Sequence, residues 1–462
     1  MGKNGARSGT HRQLRLRTAD VASILATRHN RAMDIYNLSR QSVLLVAGAV
    51  VLTLVAVIVA VNFMTGEKKI EQRIERLDSL DDPRFLHELG VLLGPAFVGG
   101  NRHTVLQNGE EIFPAMLAAI RSALKTITFE TYIYWSGDIG REFAEALAER
   151  ARAGVKVHVL LDWVGSAKVD DSLVDEMKTA GVQIRKFHPP HWSHLGRMNN
   201  RTHRKILVTD GRIGFTGGVG IAPQWTGRAQ DADHWRDTHF QVEGPVVAQM
   251  QAVFLDNWIK VTGDVLHGPD YFPLLKPVGN GQAQMFSSSP NGGSEGMQLM
   301  YLLAITAASK SIDLSAAYFV PDELTRRALS EAMKRGVRLR IVVPGEHIDS
   351  ETVRSASRAV WGPLLSAGAV IAEYQPTMYH CKVMVVDGLL VSVGSTNFDN
   401  RSFRLNDEAT LNIVNVDFAK QQTSIFEADL GRSRQITFAE WSERPLREKI
   451  GERLASLIGS QL

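Results

Sequence analysis

The segment THRKILVTDG at residues 202–211 recurs as YHCKVMVVDG at residues 379–388. Each copy has a histidine, a lysine two residues later and an aspartate five residues after the lysine. The apolar run that ends in Asp-Gly predicts a buried strand closed by a tight turn. Residues two apart on a strand share a face, so His203 and Lys205 point the same way, as do His380 and Lys382. The aspartates Asp210 and Asp387 have the opposite parity, which favours a role in the turn and in packing.

A second repeated feature follows each Asp-Gly turn, where the return strand ends in small residues. The first copy reads Gly217-Gly218-Val219-Gly220 and the second reads Gly394-Ser395-Thr396-Asn397. Small residues allow backbone N–H groups to approach an anion closely. Two complete copies with the same spacing indicate a duplicated functional site, whereas a single His-x-Lys would more often be structural.

The surrounding segments repeat as well, which indicates two tandem units at 101–270 and 271–462. In the first unit we expect a helix at 141–153 that Gly154 closes and a strand at 155–161. Their counterparts are a helix at 324–335, Gly336 and a strand at 337–343. Helices that alternate with apolar strands predict an α/β sandwich in each unit. If the two units face each other, both His-Lys pairs meet in one cleft.

Composition and charge restrict the class of protein. The 462 residues are enough for two or three domains, and the net charge is +3. The first 41 residues carry eight basic side chains against two acidic ones, so the remainder carries −3. A slightly acidic body is a poor match for non-specific nucleic-acid binding. The single cysteine, Cys381, excludes an intramolecular disulfide framework and a thiolate metal cluster.

The N-terminal part predicts attachment to a membrane. Residues 1–41 form a basic arm suited to anionic headgroups or to solvent. Residues 42–64 are almost wholly apolar, which favours one retained transmembrane helix over a cleaved signal peptide. Basic residues lie on both sides of this span, so the charge rule selects no orientation. Residues 65–100 are expected to form a helical stalk, because apolar residues over 67–80 recur at helical spacing.

A loop before the first motif contains three regularly spaced histidines and several arginines. The histidines lie around Pro189-Pro190 without a cysteine or carboxylate, which favours a rim loop over a metal site. The arginines suit phosphate or an anionic lipid surface, and equally a solvated face. These residues are His188, His191, His194, Arg197, Arg201 and Arg204.

The paired motifs resemble those of the phospholipase D superfamily, and the flanking segments are similar to bacterial cardiolipin synthases. The segments that carry the second resemblance are residues 129–134, 235–239, 318–322, 394–403 and 406–408. The resemblance implies two tandem phospholipase D-like repeats that form one pseudo-symmetric catalytic unit. It also implies phosphodiester transfer through a phosphohistidine, with no metal and no cofactor.

The resemblance assigns roles to particular residues. It implies a catalytic set of His203, Lys205, Asp210, His380, Lys382 and Asp387, with His203 as nucleophile and His380 as general acid and base. It implies phosphate binding by Gly217, Gly218, Ser395 and Asn397, although Gly220 stands where the family often has a second asparagine. Each imidazole needs an acceptor that fixes its tautomer. We expect Asp237 to serve His203 and Glu408 to serve His380. His239 is expected to be a satisfied, partly buried residue, and Cys381 a core residue.

The function implied is a membrane-anchored phosphatidyltransferase that makes cardiolipin from phosphatidylglycerol and releases glycerol. Its expected location is the bacterial inner membrane, with a single membrane span. A phospholipase D that hydrolyses phospholipids to phosphatidic acid is the near alternative, because only the attacking species differs. A nuclease is disfavoured by the span and the acidic body. A non-catalytic membrane scaffold is disfavoured because both motif sets are complete.

Overall fold

The computed structural model describes residues 18–63, 70, 72, 74, 75, 79–189, 199–290 and 296–457. The chain divides into two units, Met1–Asn62 and Phe63–Leu462. The first unit contains helix α1 (Thr18–Phe63), which has 46 residues. Within Leu25–Ile58 an 18-residue window has a mean hydropathy of 2.5, and α1 is the one helix of the described ranges that is long and apolar enough to cross a membrane. The predicted span at 42–64 overlaps this segment, and the helix begins within the predicted basic arm.

The first half of the large unit alternates strands with helices. Its elements are α2 (Pro83–Leu93), β1 (Val98–Gln107), α3 (Asn108–Ser122), β2 (Thr126–Thr131), α4 (Asp138–Arg152), β3 (Lys156–Asp162), α5 (Asp171–Thr179), β4 (Gln183–Phe187), β5 (Arg201–Thr202), β6 (Ile206–Thr209), β7 (Ile213–Gly217), a 3-10 turn (Pro223–Trp225), β8 (Thr238–Glu243) and α6 (Val247–Thr262).

The second half repeats this order with short additions. Its elements are β9 (Gly281–Ser288), α7 (Gly296–Ala307), β10 (Ser311–Ala316), β11 (Phe319–Val320), α8 (Glu323–Lys334), β12 (Arg338–Pro344), α9 (Glu351–Ala359), α10 (Gly362–Ser366), β13 (Val370–Tyr374), β14 (Lys382–Val386), β15 (Leu390–Gly394), β16 (Phe398–Asp399), α11 (Asn400–Arg404), β17 (Asn406–Val414), α12 (Val416–Leu430), β18 (Ser433–Ile436), α13 (Phe438–Glu443) and α14 (Leu446–Leu457).

Both halves contribute to one continuous mixed sheet. The strand order is β18-β13-β12-β10-β14-β15-β17-β9-β1-β8-β7-β6-β2-β3-β4, with β5 beside β17. Outward from β9 the order is β17-β15-β14-β10-β12-β13, and outward from β1 it is the equivalent β8-β7-β6-β2-β3-β4. The antiparallel pair β1–β9 joins the two halves at the centre of the sheet. The duplication in the sequence is therefore a pseudo-two-fold arrangement of strands.

A shared core lies beneath the centre of the sheet and fixes the two halves to each other. Apolar side chains of β6 and β8 from the first half pack there with those of β9, β14 and β17 from the second. Met250 of α6 and Phe418 of α12 cover this core. Each half also has its own larger core under its helices. Because side chains from both halves interdigitate, the sites at the strand ends are held in a fixed relation.

The predicted elements of the repeats are confirmed within a few residues. Helix α4 runs to Arg152 and β3 begins at Lys156, and their counterparts α8 and β12 end and begin at the equivalent positions. Gly154 and Gly336 have φ values of 88° and 93°. The φ > 0 region is open to glycine without a steric penalty, which explains why each helix stops there.

The predicted helix over 67–80 is wrong at the positions that the structure describes. Residues 70, 74 and 75 are not helical, and the next described helix, α2, begins only at Pro83. Ile70 and Ile74 nevertheless pack against the core of the second half, beside Leu80. Their spacing therefore reflects contact with this core rather than a helical stalk.

Candidate active site

The first motif histidine lies where the first half meets the second. Strand β5 pairs in parallel with the start of β17, and the backbone N–H of His203 donates to the carbonyl of Asp407 at 2.9 Å. His203 Nδ1 lies 2.9 Å from Oε1 and 3.1 Å from Oε2 of Glu408. A carboxylate only accepts hydrogen bonds, so Nδ1 carries the proton and Nε2 keeps its lone pair. His203 is thus prepared to act as a nucleophile through Nε2.

The second motif histidine has the same arrangement with the halves exchanged. A bridge between Arg236 and Tyr379 brings the strands together, and the N–H of His380 donates to the carbonyl of Arg236 at 2.8 Å. His380 Nδ1 lies 2.7 Å from Oδ2 of Asp237. Both carboxylates, Asp237 and Glu408, are fully buried.

The structure reverses the predicted pairing of histidines and carboxylates. Asp237 contacts His380 rather than His203, and Glu408 contacts His203 rather than His380. The physical reason is the central β1–β9 pairing, which sets the two halves side by side so that each motif lies against the strand β8 or β17 of the other half. Each imidazole is therefore oriented by a carboxylate from the opposite repeat.

The two lysines lie beside their histidines. The Nζ atoms of Lys205 and Lys382 each donate to the carbonyl of the preceding motif histidine at 2.8 Å. Lys382 Nζ also lies 3.1 Å from Nε2 of His380. The charges of the two lysines act on each other, and those of Asp237 and Glu408 act on both. The two His-Lys pairs accordingly form one charged group rather than two separate sites.

Burial determines the protonation of the site. It lowers the pKa of His203 to about 4, although Glu408 acts in the opposite direction. It also lowers the pKa of His380 and brings that of Lys205 down to about 7. Burial alone would raise the pKa of Glu408, but the interactions with His203, the charge of Lys205 and the hydrogen bond from Ser395 together outweigh it and lower the pKa. Near neutral pH the resting imidazoles are therefore neutral and the carboxylates are charged.

The motif aspartates lie away from this group. Asp210 has a φ of 52° and accepts hydrogen bonds from the backbone N–H groups of residues 124–126, at 2.7–3.2 Å. Asp387 has a φ of 54° and accepts from the N–H groups of residues 309–311, at 2.7–2.9 Å. The turn and packing role expected from their parity is confirmed, and the structure does not bring them to the histidines.

The small residues of the bends have a different role from the anion binding predicted for them. The N–H groups of Gly218 and Ser395 donate to the carbonyls of Thr238 and Ala409, so they are not available to an anion. A Cβ on Gly218 would lie 2.2 Å from Oδ1 of Asp237, and one on Gly217 would lie 2.5 Å from the ring of His239. The glycines therefore permit the approach of the buried carboxylate and of the His239 ring.

Ser395 and Asn397 are the two residues of the second-half bend for which phosphate binding was predicted. Ser395 Oγ donates to Oε2 of Glu408 and accepts from the N–H of Ala409 at 3.0 Å, so it fixes the carboxylate. The buried side-chain oxygen of Asn397 has no hydrogen-bond partner among the described residues. Asn397 is thus the bend residue whose side chain remains available for a ligand.

Aromatic residues to which the sequence assigned no role in the site lie beside the two histidines. Tyr132 meets the ring of His203 edge-on at 5.2 Å. Trp225 and Trp235 lie 5.3 Å and 5.5 Å from the ring of His380, and Trp225 Nε1 donates to Oδ2 of Asp237 at 3.0 Å. Tyr132 and Trp235 lie within the segments that carry the family resemblance, whereas the contact of Trp225 has no local signal.

The remaining predicted residues divide between core and rim. Cys381 is buried in the core as expected, and burial raises the pKa of its thiol to about 12. Arg204 is fully buried and donates to the carbonyl of Val253 at 2.8 Å and to Asp256 at 3.0 Å, so it braces the fold and does not face a phosphate. His239 is buried, but neither ring nitrogen has a partner in the described part, so the expected satisfied state is not found.

The histidine-rich loop before the first motif, predicted to be a rim loop, lies only partly within the described residues. His191, His194 and Arg197 lie outside the described residues, and His188 stacks on Phe187. Within the described ranges, no group of three or more histidine, cysteine or acidic side chains could hold a metal ion.

Comparisons with known proteins agree with this geometry. Residues 116–258 and 301–430 match the family described as "Cardiolipin synthase, PLD-like domain". A cardiolipin synthase of Geobacillus kaustophilus (strain HTA426) is 36% identical over 84% of this chain and 78% of its own length. Cardiolipin synthase A of Pseudomonas syringae pv. syringae (strain B728a) is 37% identical over 78% of this chain and 75% of its own.

A solved structure supports the fold independently. The phosphatidylserine synthase of Haemophilus influenzae Rd KW20 superimposes with a TM-score of 0.61 at 12% identity, over 82% of this chain and all of that one. At that identity the similarity concerns the fold alone. The family is identified by the two cardiolipin synthases that are similar in sequence. The chain therefore belongs to the cardiolipin synthase family of phospholipase D-type phosphatidyltransferases.

Proposed function

We propose that this protein makes cardiolipin from two molecules of phosphatidylglycerol through a phosphohistidine and releases glycerol. The observation that carries the proposal is the crossed arrangement of His203–Glu408 and His380–Asp237, with Lys205 and Lys382 each beside its motif histidine. Two imidazoles and two ammonium groups in one buried site match the needs of phosphodiester transfer. One imidazole bonds to phosphorus, the other moves the proton, and the lysines neutralise the equatorial oxygens.

The first step transfers the phosphatidyl group to the enzyme. Nε2 of His203 attacks phosphorus as the bond from phosphorus to the glycerol oxygen breaks, and His380 protonates that oxygen. In the second step the hydroxyl of another phosphatidylglycerol gives its proton to His380 and attacks phosphorus, while the P–N bond breaks. The products are cardiolipin and glycerol, and both histidines return to their starting states.

The charge balance of the site explains how a neutral His380 becomes an acid. Near pH 7 both imidazoles are neutral and Lys205, with a pKa of about 7, is only partly charged, so the positive charge of the two lysines does not exceed the negative charge of the two carboxylates. A bound phosphodiester adds one negative charge to this buried group. Since an unpaired buried charge is costly, binding favours uptake of one proton by an imidazole. The protonated His380 then serves as the general acid that the leaving glycerol needs.

A membrane location follows from the N-terminal helix and from the substrate. The Leu25–Ile58 segment is long enough to span a bilayer, and the donor and acceptor are both membrane lipids. We propose a single-pass protein of the bacterial inner membrane. A phosphohistidine that forms next to the bilayer is then close to further phosphatidylglycerol molecules.

The test is a product analysis with the purified full chain. Phosphatidylglycerol labelled in its headgroup and acyl chains is supplied in mixed micelles, and the lipids and free glycerol are separated. Cardiolipin with an equal amount of glycerol is expected, and none with His203→Ala. Phosphatidic acid as the main product would show a hydrolase and would overturn the proposal, as would the absence of any turnover.

A further inference from the structure

The two sides of the catalytic site differ, although the fold is nearly two-fold symmetric. Such a difference can distinguish the two lipids, because the donor reacts in the first step and the acceptor in the second. Around His380 the neighbours are the indole rings of Trp225 and Trp235. Around His203 the neighbour is Tyr132, and two arginines, Arg201 and Arg401, lie close to this tyrosine.

Arg201 is a buried cation without a full set of partners. Its side chain is 8% exposed, and its Nη1 has no hydrogen-bond partner in the described part of the chain. The nearest carboxylate atom, Oδ1 of Asp162, is 3.9 Å away, which is too far for a hydrogen bond. The guanidinium instead lies over the ring of Trp163, 5.4 Å from its centroid. A buried donor left in this state is costly unless an acceptor arrives.

Arg401 brings a second positive charge from the other half of the molecule. It is half-buried at the start of α11 and donates to the side-chain and backbone oxygens of Asn199 at 3.1 Å and 3.0 Å. The positive charges of Arg201 and Arg401 both act on the hydroxyl of Tyr132 and also repel each other. Two like charges held together beside an unpartnered donor favour the binding of an anion between them.

The arginine pair has no counterpart across the pseudo-two-fold axis. Arg201 stands two residues before its motif histidine, where the second half has Met378. Arg401 stands six residues after Ser395 in the bend, and the position six residues after Gly218 is Gln224. The catalytic groups are thus duplicated, whereas this charge is present on one side only.

We propose that Arg201 and Arg401 bind the phosphate of the acceptor phospholipid. This inference rests on the proposed function, in which the acceptor phospholipid enters while the donor's phosphate is bonded to His203. The donor's phosphate is the one that reacts, and the paired histidines and lysines hold it. The acceptor's phosphate is the other, and it lies three carbons from the hydroxyl that attacks. A guanidinium binds such a phosphate through two parallel hydrogen bonds.

The subsite formed by Arg201 and Arg401 gives a physical reason why the phosphoenzyme would react with a lipid rather than with water. Water and neutral alcohols lack a phosphate and gain nothing from the arginines, whereas phosphatidylglycerol gains charge-assisted hydrogen bonds. Removing them is expected to lower the ratio of cardiolipin to phosphatidic acid by about tenfold or more. Transfer to glycerol, supplied as a labelled neutral acceptor in exchange, is expected to fall much less than transfer to phosphatidylglycerol.

The experiment compares Arg201→Gln and Arg401→Gln with a matched control, Arg121→Gln. Arg121 is an exposed arginine of α3 that pairs with Glu142. Each full-length variant receives labelled phosphatidylglycerol, and cardiolipin, phosphatidic acid and glycerol exchange are measured together. The acceptor KM is expected to rise in both subsite variants, and the control is expected to keep the wild-type product ratio.

The outcomes separate the subsite from the function on which it rests. Equal loss of all three reactions, or an unchanged product ratio, would overturn the subsite while cardiolipin formation by the wild type upholds the function. A wild type that forms only phosphatidic acid would overturn the function and the subsite together. Thermal unfolding checks each variant, and Arg401→Gln at the half-buried position decides the outcome if Arg201→Gln fails to fold.

Discussion

The crossed pairing predicts that two conservative substitutions stop the reaction at different steps. Glu408→Gln removes the charge that supports His203 as it bonds to phosphorus, so no phosphoenzyme is expected to form. Asp237→Asn acts on His380 and impairs proton transfer instead. With a phosphatidyl ester of p-nitrophenol, whose nitrophenolate leaves without a proton, Asp237→Asn is expected to form the phosphoenzyme and to discharge it slowly.

The expected loss of rate in Glu408→Gln follows from the distance between the charges of His203 and Glu408. His203 Nδ1 and Glu408 Oε1 are 2.9 Å apart, and the carboxylate is fully buried. Unit charges about 3–4 Å apart attract by roughly 4–6 kcal/mol at an effective dielectric constant of about 20. Each 1.4 kcal/mol corresponds to about a factor of ten in rate. We therefore expect Glu408→Gln to slow phosphoenzyme formation by about 10³–10⁴-fold, similar to the loss of about 10⁴ in a serine protease triad whose aspartate is made neutral.

The assay is rapid acid-free quenching followed by mass spectrometry of the phosphorylated peptide. Phosphate on His203, trapped in Asp237→Asn and missing in Glu408→Gln, is the expected result. Phosphate on His380, trapped in Glu408→Gln, would exchange the two catalytic roles but preserve the crossing. Phosphate on His203 trapped in Glu408→Gln, or on His380 trapped in Asp237→Asn, would refute the crossed pairing. Equal melting temperatures of the two variants serve as the control.

Three further predictions concern charge and stability. Binding of a non-hydrolysable phosphodiester near pH 7 is expected to take up about one proton. Calorimetry in buffers of different ionisation enthalpy measures this uptake. No uptake would contradict the balance between the lysine and carboxylate charges of the site before the phosphodiester binds. The kcat/KM is expected to fall with rising pH above the lowered pKa of His380, because the proton that the general acid needs must then be taken up from solution, and to fall more steeply above about pH 7, where Lys205 loses its charge. It is also expected to fall below about pH 4, where His203 becomes protonated. A profile flat through pH 8 would argue against both the proton uptake and a role for the lysine charge. Asp387→Ala is expected to lower the free energy of unfolding by about 1–3 kcal/mol, because three backbone N–H groups lose their acceptor. The folded variant is expected to keep its turnover. Denaturant unfolding measures the stability, and assays below the melting temperature measure the turnover.

Local signals in the sequence were enough to predict the repeated unit. The apolar runs before Asp210 and Asp387 form strands, and Gly154 and Gly336 end their helices in the φ > 0 region. These features depend on neighbours within a few residues, so a single sequence contains the information. The alternation of helices and strands likewise predicted the layered α/β arrangement.

The pairing of histidine with carboxylate could not be predicted in the same way. In a tandem repeat, Asp237 and Glu408 occupy equivalent positions, so pairing within a half and pairing between halves have identical local sequences. The choice depends on the central β1–β9 contact and on β5 beside β17, which join residues far apart in the chain.

The bends show a second limit of local reasoning. A glycine such as Gly218 indicates that something approaches the backbone closely, but it does not say what. The structure places the carboxylate of Asp237 there, where the sequence suggested an anionic ligand. The arginine pair near Tyr132 has a similar origin, since Arg201 and Arg401 are 200 positions apart and meet only through the fold.

The central claim is that both His-Lys sets act on a single phosphorus atom. A crystal structure of the full chain with orthovanadate, which mimics pentacoordinate phosphorus, tests it most directly. We predict one vanadate between the imidazoles, bonded to Nε2 of one histidine and facing Nε2 of the other, with Lys205 and Lys382 on its equatorial oxygens. Two separate anions, one at each motif, or one anion that contacts a single half, would contradict the account.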